Sequence, residues 1–129
     1  MLQYNTVICY SGNEMEKTYN KKTLQDMIQP VTDAIYVLNG KWKLPVLICL
    51  TFENMRFRQL ANEIPQITDR MLAKELKELE ANLLIQRTIS NTVPVKIEYS
   101  ITDHGKSLHN VVIELQKWGL KHRKAITQK

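Results

Sequence analysis

The stretch from Thr68 to Asn82, TDRMLAKELKELEAN, sorts its side chains by chemistry if it is wound as a helix. At about 100° per residue, Leu72, Leu76, Leu79 and Leu83 fall on one stripe. Arg70, Ala73, Lys74, Lys77 and Ala81 fall on the opposite one, with Glu75 and Glu78 on a flank. Such a segment must lay one face on a core and turn the other outward. Its outward face carries cations with small alanines between them, which suits a polyanion. Small residues let the backbone approach a groove floor, while Arg and Lys reach phosphates and base edges. The plainer alternative is a solvated surface helix with ordinary charges, so the flanking segments have to decide.

Upstream, Pro30 is expected in the first turn of a helix whose apolar stripe is Val31, Ala34, Ile35 and Leu38, stopped by Asn39-Gly40. Lys41-Trp42-Lys43 opens a second helix, with Pro45 in its first turn and Val46, Leu47, Cys49 and Leu50 inward. Asn54-Met55-Arg56 reads as a short link or a single-bridge strand. Phe57–Ile64 reads as a third helix with Phe57, Leu60, Ala61 and Ile64 inward. Pro65 breaks that helix, and Thr68 caps the cationic one, with Asp69 at the positive end of its dipole.

Downstream of Asn82 the apolar period drops from 3.6 to 2. Residues 84–89 and 96–101 are strand-like and are joined by the hairpin tip 90–95. Thr102-Asp103 then caps a final helix expected to reach Ile126, with the stripe Leu108, Val111, Val112, Leu115 and Trp118. At about 1.5 Å per residue this helix spans about 35 Å, more than so small a core can cover. A second copy of the chain is the expected cover.

The first 29 residues are least legible. Leu2, Tyr4, Thr6 and Ile8 alternate as in a strand, Ser11-Gly12-Asn13 is a turn, and Glu14–Ile28 has helical character. We read 1–29 as an extension packing on the domain or a partner, and 30–126 as the folded domain. The fold class expected is α+β, mainly helical: a winged helix-turn-helix with a long C-terminal dimerisation helix.

Charge agrees with an anionic partner. The formal net charge is +5 over 129 residues. Lys17, Lys21 and Lys22 cancel Glu14, Glu16 and Asp26 in the first 29, so the excess lies wholly in the remainder. No apolar run approaches the roughly 20 residues of a membrane span, and the N-terminus lacks signal-peptide character. A cytoplasmic protein with no membrane partner is expected. Four glycines form no phosphate loop, and neither a nucleophile elbow nor a paired-carboxylate site is present. Neither an enzyme nor a cofactor is therefore expected. Cys9 and Cys49 have no metal-ligand or disulfide spacing, and His104, His109 and His122 share no helical face, so no metal site is expected.

Five segments, in order, resemble the HxlR-type winged-helix transcription regulators, relatives of the MarR group: GKWKLPVL at 40–47, MRFRQL at 55–60, ITDRML at 67–72, LKELE at 76–80 and VKIEYSITDHG at 95–105. The resemblance covers roughly Pro30 to Gly119. It implies a homodimer on pseudo-palindromic operator DNA, with recognition helices in successive major grooves and wings on flanking DNA. By position it implies groove-facing Thr68, Asp69, Arg70 and Lys74, with Lys77 on phosphate. The wing contributes Arg87, Asn91, Thr92 and Lys96, and Lys43 and Arg58 are further phosphate contacts.

The resemblance also exposes a departure. Members that sense oxidants carry a cysteine just before the proline of the first helix, whereas Gln29 stands there in this chain. An amide forms no thiolate, so thiol switching at this position is excluded. Cys9 is the one candidate substitute. Repression is the expected sign, since no separate activation surface is evident. A small-molecule effector is left open. A winged-helix module that binds proteins instead of DNA is the alternative, and the cations and alanines of 68–82 argue against it. Trp42 and Trp118 are expected as core or dimer anchors.

Overall fold

The computed structural model describes residues 9–11, 14–16 and 21–128, with side chains from residue 23 onward, and divides after Asn39 into two compact units. In the first, β1 (Cys9–Ser11) and β2 (Glu14–Glu16) pair antiparallel with Ser11 opposite Glu14, while Gly12 and Asn13 of the expected turn lie outside the described residues. The strand expected over residues 2–8 lies outside the described residues, and Glu14–Glu16 is strand rather than helix.

Helix α1 runs from Lys21 to Val37, which corrects the expected start at Pro30. Proline removes one hydrogen bond and crowds the preceding turn, at about 3 kcal/mol. The apolar row nevertheless continues through it: Leu24, Met27, Ile28, Val31 and Ile35 keep helical spacing across residue 30, and all are exposed. Gln29, inside this helix, donates from Nε2 to Asp33 Oδ1 at 2.9 Å. The helix ends where expected, and Gly40 takes φ 95°, a conformation costly for other residues.

In the second unit, α2 (Lys43–Phe52) follows Trp42, with Pro45 at its third residue, where an N–H would have no intrahelical partner. Val46, Leu47 and Leu50 are buried, whereas Cys49 is only half-buried. Met55 makes the expected single bridge, exchanging backbone hydrogen bonds of 2.8 and 3.1 Å with Tyr99. Helix α3 (Phe57–Glu63) opens with Gln59 Oε1 accepting from the Arg56 N–H at 2.9 Å. A turn with Gln66 at φ 70° leads into α4 (Asp69–Ala81).

Strands β3 (Ile85–Ser90) and β4 (Lys96–Ile101) form the antiparallel ribbon, with Ile85 opposite Ile101 and Ser90 opposite Lys96. The core gathers Val46, Leu47 and Leu50 of α2, Leu60 and Ile64 from the α3 region, Leu72, Leu76 and Leu79 of α4, and Leu84 and Ile85 at the ribbon's base. Three helices and a two-stranded wing on one core make the fold a winged helix-turn-helix.

The final helix departs from expectation. It is split into α5 (Asp103–Lys106) and α6 (His109–Thr127). Thr102 caps α5 as expected, accepting from the Gly105 N–H at 3.0 Å while donating to the Leu83 carbonyl at 2.6 Å. A Cβ at Gly105 would collide with the Leu84 carbonyl and the Ile101 side chain, so glycine lets α5 seat against the ribbon. The Ser107 hydroxyl then donates to the His104 carbonyl, and Leu108 N–H bonds back only three residues, to Gly105. That tight turn separates the two helices. At 19 residues, α6 spans about 28 Å rather than 35 Å. It contributes no buried residue to the core. Among the described residues, no helix is long and apolar enough to cross a membrane.

Candidate nucleic-acid interface

The entry to α4 is built from two local devices. Thr68 Oγ1 accepts from the Met71 N–H at 3.1 Å, meeting one of the orphan donors of the first turn. Asp69 then receives a forked pair from Arg58 of α3, Nη1 to Oδ1 at 3.2 Å and Nη2 to Oδ2 at 2.9 Å. The guanidinium holds the Asp69 carboxyl below its ordinary range, and Asp69 raises Arg58 in return. Both groups are exposed, so the pair orients more than it stabilises. It ties the two helices of the helix-turn-helix together and occupies both Asp69 oxygens.

Beyond that entry the stripes separate as expected. Leu72, Leu76 and Leu79 are buried, and Arg70, Ala73, Lys74, Lys77 and Ala81 are exposed. Leu83 is a correction to the stripe. It follows the C-cap Asn82 at φ 63° and is exposed. Its N–H bonds Glu80 O, and the Leu84 N–H bonds Leu79 O, both at 3.0 Å. These are the two bonds of a Schellman ending. Leu84, one residue on, takes the buried place.

Lys43 is the second correction. Expected on phosphate, its side chain is 3% exposed, with Nζ 2.6 Å from Glu75 Oε1 and 3.0 Å from Glu78 Oε1. Burial alone would lower its pKa, but the bonds to Glu75 and Glu78 outweigh this and raise it above the ordinary value. Glu75, expected on a flank, is buried. Glu78 also takes Lys74 Nζ on its second oxygen at 3.1 Å, and Lys43 and then Lys74 hold its carboxyl low. The Lys43 clamp was missed because its members lie 32 and 35 residues apart. The available signal was an acid, Glu75, one turn from Leu72 and Leu79 on the edge of the apolar stripe.

The wing does not gather its candidates on one face. By the register, Arg87 lies opposite Tyr99, whereas Lys96 lies opposite Ser90, an odd number of residues further along the strand. Arg87 and Lys96 therefore project from opposite faces of the ribbon. Both are exposed, and Lys96 sits 3.8 Å from Glu98. At the tip, Asn91 is exposed, and the Thr92 hydroxyl donates to Pro94 O at 3.1 Å while pairing with Ser90 Oγ at 2.8 Å. That internal bonding shapes the tip. Val93, 98% exposed, is its outermost apolar group.

Of the residues expected at a dimer seam, Val111, Leu115 and Trp118 are exposed along α6, while Leu108 and Val112 are half-buried. Trp118 stacks on His122 at 4.8 Å between ring centroids. A groove of about 830 Å³, lined by Leu44, Ile48 and Phe52 of α2 and by Val112, Leu115 and Gln116 of α6, opens beside them. Trp42 is half-buried, with Lys41 Nζ 4.7 Å from its ring centre.

Residues 37–127 match the model of the family described as HxlR-like helix-turn-helix. The HTH-type transcriptional regulator YtcD of Bacillus subtilis (strain 168) is 39% identical over 92 residues, which is 71% of this chain and 73% of that one. The crystal structure of a putative HTH-type transcriptional regulator ytcD superposes with a TM-score of 0.70 at 38% identity, covering 73% of this chain and 96% of that one. The redox regulator HypR in its reduced form superposes with a TM-score of 0.73 at 34% identity, covering 78% of this chain and all of that one. With its helix-turn-helix and its wing, the chain belongs to the HxlR-like helix-turn-helix family of transcriptional regulators.

Proposed function

We propose that the protein is a homodimeric repressor that occupies a pseudo-palindromic operator, with α4 of each protomer in a major groove. One observation carries this reading: α4 buries its leucines and leaves Arg70, Lys74 and Lys77, spaced by Ala73 and Ala81, open to solvent. Arg70 and Lys74 read base edges or phosphates near the start of the helix. Lys77 meets phosphate further along. Asp69 serves the helix entry through Arg58 more than it serves cytosine. Arg87 and Lys96, on opposite ribbon faces, contact backbone one at a time.

Two uncovered apolar rows support the dimer. One runs along α6 beside the 830 Å³ groove, and the other along α1. Exposed apolar surface of this extent marks an association site. For HypR the redox character is that protein's own. Here Gln29 stands where a sensing cysteine would, and burial, helped by the Glu63 charge, raises the Cys49 pKa and disfavours its thiolate.

The test is a fluorescence-anisotropy titration against DNA from upstream of the protein's own gene, with a shuffled fragment as control, at two salt concentrations. The expected result is preference for the native fragment that persists as salt rises. The Arg70→Ala variant should lose that preference while keeping fold and oligomeric state, since a bidentate arginine–guanine pair is worth about 1–3 kcal/mol of discrimination. A variant that discriminates as well as the wild type would move base reading off α4. Absence of DNA binding even at low salt would favour a protein-binding role for the wing and helix.

A further inference from the structure

The recognition helix is not cationic by composition. Between Asp69 and Ala81 it carries Arg70, Lys74 and Lys77 against Asp69, Glu75, Glu78 and Glu80. Its suitability for DNA depends on where those carboxylates are held and by what. Glu78 is the decisive one, because it lies one turn from Lys74 and binds it directly, Nζ to Oε2 at 3.1 Å. To reach a phosphate or a base edge, Lys74 must leave Glu78. In doing so it would leave a bare carboxylate close to the DNA backbone.

The other oxygen of Glu78 is held from beneath. Lys43 Nζ lies 3.0 Å from Glu78 Oε1, and Lys43 is also fastened to the buried Glu75 at 2.6 Å. The two lysines on Glu78 differ in one respect. Lys43 is 3% exposed and cannot leave, whereas Lys74 is 70% exposed and can. We propose that Lys43 is a positioning residue for DNA contact: a standing counter-ion of Glu78 that releases Lys74 from the carboxylate to the nucleic acid. It acts through Glu78 and touches no DNA. The proposal rests on the DNA-binding reading above and adds to it a device supplied by α2, outside the helix-turn-helix itself.

Without Lys43, Glu78 has only Lys74 to neutralise it. The pair then tightens, and Lys74 is withheld from DNA. A structural role for Lys43 would appear in thermal stability alone. Release of Lys74 appears in the salt dependence of binding, because each phosphate contact contributes about −0.9 to the slope of log affinity against log salt.

The single variant Lys43→Met leaves Glu75 buried without its partner and is prone to unfold. The informative protein is therefore Lys43→Met/Glu75→Met, which replaces the buried pair by two unbranched apolar chains and leaves Glu78 in place. Its fold is checked by circular dichroism and a cooperative melt. Binding is then titrated against a labelled duplex from upstream of the gene across a salt series. The expected loss is about three- to tenfold at low salt, with a slope shallower by about one contact. Adding Glu78→Gln should restore both affinity and slope.

A folded double-Met variant with wild-type affinity and slope would overturn the proposal. So would a loss that Glu78→Gln does not rescue, since that would mean a displaced helix. If the wild type itself binds no duplex at low salt, the DNA reading falls and the clamp's role with it. If the wild type binds and only the variant behaves otherwise than stated, the DNA reading stands and the clamp alone is rejected.

Discussion

Lys43 and Glu78 make the stability of this protein depend on pH at two distant limits. The folded-state pKa of Lys43 is raised above its ordinary 10.5. Its contribution is therefore complete below about pH 10.5 and is lost as pH rises through the raised value. The pKa of Glu78 is lowered from its ordinary 4.5 by Lys43 and then by Lys74. Its contribution is complete above about pH 4.5 and is lost as pH falls through the depressed value. Urea melts across pH should show a plateau between these limits with a falling limb on each side. In the Lys43→Met/Glu75→Met variant the alkaline limb should weaken, and an unchanged limb would assign it to other groups. Neither partner announces itself in the chain. Lys43 sits in a basic triplet that looks solvent-facing, and its burial follows only from the packing of α2 against α4.

At the level of single elements, α4 shows how much local chemistry settles. Its N-cap, its acidic first turn and its buried leucines all follow from spacing and cap rules that act within a turn or two. Its C-terminus does not. Leu83 extends the leucine spacing but adopts φ 63°, the left-handed conformation that glycine takes at lower cost. A β-carbon in that conformation costs about 1–2 kcal/mol. Since Leu83 is 70% exposed, little packing is lost on its removal. After allowing for the greater freedom of glycine in the unfolded chain, Leu83→Gly should stabilise by about 0.5–1 kcal/mol. The check is a rise of a few degrees in the thermal midpoint, and a fall would show that Leu83 packs on something absent from the isolated chain. Helix α1 illustrates the opposite case. Proline rules place its start at Pro30, yet the helix runs through that residue from Lys21 to Val37, at a local penalty of about 3 kcal/mol. The apolar row from Leu24 to Ile35 keeps its spacing across the proline but is exposed, so it offsets the penalty only where a partner surface covers it.

For the molecule as a whole, the uncovered apolar rows matter most. Helix α6 buries nothing in the core and exposes Val111, Leu115 and Trp118. On the dimeric reading proposed above, the Leu115→Glu/Trp118→Glu variant should be monomeric in sedimentation equilibrium where the wild type is a dimer. Its operator affinity should fall by about 100-fold or more, since the second half-site would no longer be tethered to the first. A variant that remains dimeric would place the seam elsewhere. The same uncovered rows mark the limit of reading one chain. Periodicity, caps and charge location are properties of neighbouring residues, and they sufficed for three helices, a wing and the exposure of Arg70, Lys74 and Lys77 on α4. The long-range matters were legible only once the helices were packed. They include the burial of Lys43 between Glu75 and Glu78, the fork from Arg58 to Asp69, the opposite facing of Arg87 and Lys96, and the break at Ser107. Each pairs groups distant along the chain, or depends on ribbon register or on close approach at Gly105, none of which a local pattern encodes.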